Sequence, residues 1–168
     1  MFITGRRYAY MYKGISIALV WAIQKILVGV DGSGAAFEAA TFAVDLAKKV
    51  GAEVTFLAVV DEENVNRLEK FGIVKRATAE ASMEREMKNY TEEAAKIAKS
   101  KGIACDEIVK TGDVVQTIID TAMQGGYQLL IIASRKRVSL ERIASGEHTL
   151  RLVDFSPIPI LIYKSSVT

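Results

Sequence analysis

A continuous apolar run cut short by a turn motif does most to limit what this chain can fold into. Lys25-Ile-Leu-Val-Gly-Val30 stops at Asp31-Gly-Ser-Gly34, and an alanine-rich segment follows at once. Short runs of Val, Ile and Leu suit a strand buried on both faces, as in a parallel sheet. Ser33 is placed to cap the next helix. That helix is expected over residues 35–50, with Ala36, Ala40, Ala43 and Ala47 along one side and Gly51 as its stop. Small side chains on that side let a helix sit close on a sheet.

The pattern then repeats. Glu53-Val-Thr-Phe-Leu-Ala-Val-Val60 is a second strand, rich in β-branched and aromatic residues. Residues 61–75 read as a long polar connection. A helix is expected over 76–100, with Met83, Met87, Tyr90, Ala94 and Ile97 as one apolar stripe. Residues 105–110 form a weaker third strand. Gly112-Asp113 opens a helix carrying Val114, Val115, Ile118, Ile119 and Ala122, closed by Gly125-Gly126. Gln128-Leu-Leu-Ile-Ile-Ala133 is the fourth strand. A polar loop, a short helix over 146–154 and the breaker Ser156-Pro-Ile-Pro159 lead to a last strand, Ile160-Leu-Ile-Tyr163.

Strands alternating with helices predict an α/β fold: one domain, an open five-stranded parallel sheet, helices on both faces. Such sheets bind ligands outside the carboxyl ends of their strands, at the point where strand order reverses. Here those ends are Asp31-Gly-Ser-Gly34, Val59-Val-Asp61, Thr111-Gly-Asp113 and Ala133-Ser-Arg-Lys136.

Composition narrows the chemistry. The 168 residues are 50% hydrophobic and 25% charged, which is globular and of single-domain size. One cysteine and one histidine exclude an intrachain disulfide and an ordinary Cys/His zinc site. Cys105 is expected to be buried and inert, and His148 to be superficial or structural. The strand ends hold no paired carboxylates with a nucleophile, and no Walker-type loop is present. Residues 1–24 carry Arg6, Arg7 and Lys13 and no acid, so the basic excess belongs to them. The nearly neutral remainder argues against a nucleic-acid partner.

Residues 1–24 form a basic, then apolar extension. Its apolar stretch is too short to span a bilayer, and no small-x-small cleavage site precedes the first core strand. The extension is expected to add a strand or short helix, or to pack on a partner, with no membrane engaged and the cytoplasm as the location. Residues 25–164 are the folded domain and 165–168 a tail.

The chain resembles the universal stress protein family. The resemblance rests on Lys25-Ile-Leu-Val-Gly-Val-Asp-Gly-Ser33, Leu57-Ala-Val-Val-Asp61, Thr111-Gly-Asp113, Leu130-Ile-Ile-Ala-Ser-Arg135 and Ser156-Pro-Ile-Pro-Ile-Leu-Ile162. It implies an adenine-nucleotide alpha-hydrolase-like sheet of order 3-2-1-4-5 and a homodimer through the last strand, here Ile158, Ile160 and Ile162. It also implies a nucleotide site. Some members bind ATP through Gly-x-x-Gly, nine residues, then Gly-Ser or Gly-Thr. Laid on this chain, those positions are Ala133, Lys136, Gly146 and Glu147, with Ser134 and Arg135 between the first two. Glycines let backbone N–H groups approach phosphate closely; Glu147 puts an anion where a hydroxyl donor belongs. Asp31 matches the acidic residue on the base and ribose side, and Val59 a backbone contact to adenine. Asp31 equally suits a turn residue satisfying local N–H groups.

The expected function is therefore a non-enzymatic, dimeric stress-response module with a degenerate nucleotide pocket that takes ATP weakly or not at all. Two alternatives stand beside it. One is an ATP- or AMP-binding member, with Mg²⁺, that slowly hydrolyses nucleotide. The other is an adaptor that reaches a membrane surface or a partner through residues 1–24.

Overall fold

The computed structural model describes residues 8–9, 20–21, 23–134 and 147–165. Tyr8–Ala9 (β1) and Val20–Trp21 (β2) pair antiparallel as a separate two-stranded piece. The main sheet holds β3 (Lys25–Gly29), β4 (Glu53–Asp61), β5 (Cys105–Gly112), β6 (Leu129–Ser134) and β7 (Ile160–Lys164). Its order is β5-β4-β3-β6-β7 and every pair is parallel. Counted within this sheet, that is the expected 3-2-1-4-5.

Strand periodicity explains why the central strands read as unbroken apolar runs. Side chains alternate between faces, and both faces are covered. Ile26, Val28, Val54, Phe56, Leu129 and Ile131 meet α1 (Gly34–Val50) and α3 (Arg76–Ser100) on one side. Leu27, Leu57, Leu130 and Ile132 meet α4 (Val114–Gln124) and Leu152 of α5 (Glu147–Phe155) on the other. The first face is lined with alanines: Ala39, Ala40, Ala43 and Ala47 of α1 and Ala94, Ala95 and Ala98 of α3 are all fully buried. Gly51, at φ 74°, ends α1 in a left-handed cap.

The polar connection expected over 61–75 contains a helix, α2 (Glu62–Lys70). Asp61 caps it by accepting from the Glu63 N–H at 3.0 Å. Only Val65 of this helix is buried, so no apolar stripe marks it in the sequence. Ion pairs hold it instead: Arg67 to Glu63 at 3.0 Å, and Arg76 of α3 to Glu62 at 3.0 Å and Glu80 at 2.8 Å. The stripe expected on α3 is also displaced. Its buried residues are Ala79, Thr91, Ala94, Ala95 and Ala98. Met83 and Met87 flank that line and pack with Val60 and Val65, because the smaller side chains take the closest approach to the sheet. β5 is longer than expected, pairing with β4 from Cys105 opposite Val54 to Gly112 opposite Asp61. Among the described residues no helix is long and apolar enough to cross a membrane.

Candidate functional site at the carboxyl ends of the strands

The strand order reverses at β3: the chain leaves it for β4 on one side and returns to β6 on the other. A crevice beyond the carboxyl ends of these strands is the place such sheets use for ligands. Asp31 follows β3 directly. Its Oδ1 accepts from the Ser33 N–H at 3.0 Å and from the Ser33 hydroxyl at 2.5 Å. Ser33 Oγ in turn accepts from the Ala36 N–H at 3.2 Å, capping α1 as its sequence position foretells. The turn reading of Asp31 is thus realised in the Asp31 Oδ1 bonds. Gly32 sits between at φ 77°, a left-handed conformation that favours glycine.

Val59 is half-buried on β4, two residues beyond Leu57, where pairing with β3 ends at Gly29. Ala133 and Ser134 are half-buried at the end of β6, paired with Tyr163 and Lys164 of β7. Asp31, Val59, Ala133 and Ser134 therefore stand at the carboxyl ends of three neighbouring strands. Glu147 opens α5. Its side chain lies outside the described residues, as do Arg135, Lys136 and Gly146.

Two residues, Tyr90 and Arg151, join this end of the sheet although the sequence does not mark them for it. Tyr90, half-buried on α3, lays its ring on Gly32: a Cβ there would lie 2.2 Å from Tyr90 Cζ. Tyr90 donates its hydroxyl proton to Glu86 Oε1, one turn back on α3. That bond, then partial burial and the charges of Glu86, Asp31 and Glu93, hold the phenol above its usual pKa. Arg151, one turn into α5, places Nη1 3.7 Å from Asp113 Oδ2. Asp113 also caps α4 through the Gln116 N–H at 2.8 Å, so the two helix starts lie together. The one signal for Tyr90 was a hydroxyl on an otherwise apolar stripe, with a carboxylate four residues earlier.

His148 is exposed. Cys105 is half-buried rather than buried; burial pushes its thiol pKa up, Lys99 lowers it, and Glu107 and Asp106 raise it further. A depression of about 420 Å³ lined by Gln24, Lys25, Gly51, Ala52, Glu53 and Ala104 lies at the opposite, amino end of the strands. Lys25 and Glu53 pair across it at 3.4 Å, so its two charges offset one another, and we place the candidate site at the other end.

Residues 22–164 match the model of the universal stress protein family. Universal stress protein YxiE of Bacillus subtilis is 28% identical over 145 residues, covering 83% of this chain and 98% of that protein. The solved structure of hypothetical protein MJ0577 superposes with a TM-score of 0.73 at 24% identity, over 88% of this chain and 99% of that one. A universal stress protein in complex with cAMP gives 0.64 at 18% identity, over 86% and 99%. Another, from Archaeoglobus fulgidus in complex with dAMP, gives 0.60 at 17%, over 84% and 98%. At these identities the three structures establish the fold.

Proposed function

Because the chain belongs to the universal stress protein family, we propose that it is a dimeric, non-enzymatic regulatory module whose crevice receives an adenine mononucleotide and takes ATP weakly or not at all. The contrast between the two ends of the crevice carries this reading. At the base end, Asp31 is held by a bonded turn just after β3 and Val59 stands two residues beyond the last β3–β4 pair on the neighbouring strand β4. These two would meet the ribose side and the adenine edge. At the phosphate end, Ala133, Lys136 and Glu147 replace two glycines and a hydroxyl. Ser134, Arg135, Lys136 and Gly146 would face a single phosphate there, with Mg²⁺ needed only for longer chains. The relatives solved with cAMP and dAMP carry one phosphate per nucleotide, which fits a pocket demanding little of a glycine loop.

Isothermal titration tests the reading. AMP is expected to bind, and Mg-ATP to bind at least about tenfold more weakly, a difference of about 1.4 kcal/mol. Low-micromolar affinity for Mg-ATP would overturn it.

The dimer is proposed through β7. It is the last strand of the sheet, and an open strand edge demands pairing or cover. Ile162 is 37% exposed, Ile158 and Ile160 are half-buried, and Tyr163 is braced by Phe42 with ring centroids 5.6 Å apart. Glutamate at Ile160 or Ile162 should therefore yield monomer in sedimentation. A dimer that survives both changes assigns the interface elsewhere.

A further inference from the structure

Tyr90 makes a contact that helix packing alone does not explain. The buried alanines of α1 and α3, in one core with the central strands, let α3 sit close enough for a ring on its edge to reach the loop after β3. Gly32 leaves no Cβ in the way: a methyl group there would stand 2.2–2.5 Å from three ring atoms. The ring is anchored from behind by the hydroxyl bond to Glu86. The turn it covers is the one whose inner bonds run from Ser33 to Asp31 and from Ala36 to Ser33. The turn is thus held from inside by its own hydrogen bonds and from outside by the ring.

We propose that Tyr90 is a positioning residue: its ring, seated on Gly32, clamps the Asp31-Gly32-Ser33 turn in the conformation that presents the Asp31 carboxylate to a nucleoside. A group fixed before the ligand arrives costs less ordering on binding. The ligand half of this proposal rests on the nucleotide reading above; the clamp half does not.

The test uses the full chain as wild type, Tyr90→Phe and Tyr90→Ala, with two readouts. The first is residue-resolved amide exchange at Ser33 and Ala36, whose N–H groups bond within the turn. Local opening sets such rates, and Tyr90→Ala is expected to exchange at least about tenfold faster, whereas Tyr90→Phe, which keeps the ring and loses only its hydroxyl anchor on Glu86, falls between wild type and Tyr90→Ala. The second is AMP affinity, expected to fall about tenfold in Tyr90→Ala and to persist in Tyr90→Phe, as loss of preorganisation predicts. Unchanged exchange in Tyr90→Ala overturns the proposal. So does faster exchange with unchanged AMP affinity, or a Tyr90→Phe variant as impaired as Tyr90→Ala. Wild type that takes up no AMP overturns the nucleotide reading and the ligand half with it, while the exchange rates still decide the clamp. Should Tyr90→Ala fail to fold, Tyr90→Leu, which keeps apolar bulk without the ring, is read the same way.

Discussion

Exchanging Glu147 for serine and Lys136 for glycine is expected to raise the affinity for Mg-ATP by at least about tenfold, or about 1.4 kcal/mol. Glu147 is the first residue of α5, a nine-residue helix. The start of a helix favours anions through its unpaired N–H groups and dipole. A carboxylate in that place turns the preference against a triphosphate. Two unit charges about 4 Å apart repel by about 4 kcal/mol at an effective dielectric of 20, which caps the gain near three powers of ten. Solvent and salt lower the realised figure. Arg151 follows Glu147 by four residues, a spacing that favours an ion pair, but its guanidinium already stands 3.7 Å from Asp113 Oδ2. Removing Lys136 costs a cation and restores close backbone approach, so the double change should exceed Glu147→Ser alone only modestly. Titration of Mg-ATP into the variants decides the matter, and a double variant no tighter than wild type would show that charge is not what limits binding.

Gly32→Ala should produce the largest loss of stability among single methyl additions near the crevice. The backbone there is left-handed at φ 77°, which costs an L-residue about 1–2 kcal/mol. The added Cβ also meets the Tyr90 ring at 2.2 Å; because that ring is the half-exposed end of a flexible side chain and can swing aside, the steric part is about 1 kcal/mol, the low end for overpacking. Together these give about 2 kcal/mol, or a drop in Tm of roughly 4–8 °C for a domain this size. Combining Gly32→Ala with Tyr90→Ala separates the two causes. The steric part disappears in the double variant and the backbone part stays, so the two changes are non-additive. Strict additivity in thermal melts would show that the ring and the methyl do not compete for one space.

The residues easiest to read were those buried on both sides. β3 and β6 announce themselves because Ile26, Leu27 and Val28, and Leu129 to Ile132, alternate between two covered faces, leaving no polar position to interrupt the run. α2 is silent in the sequence for the opposite reason: one buried valine and a set of ion pairs leave no periodic trace. Tyr90 shows a different limit. Its spacing on α3 suits core packing, and only the close approach allowed by the facing alanines carries its ring to Gly32. Asp31, Val59, Ala133 and Ser134 were placed at strand ends by the same apolar runs that define the strands, whereas Arg135, Lys136 and Gly146 lie outside the described residues.

The uniform direction of the five strands constrains how two copies can join at β7. Two identical edges meeting head-to-head in the same direction would set N–H against N–H and C=O against C=O. A two-fold pairing must therefore reverse one copy against the other. Such an assembly would be a ten-stranded ribbon with its two strand-end crevices at opposite poles. Occupancy of one mouth could then reach the other only as a change in how the shared ribbon twists, never by contact between two bound molecules.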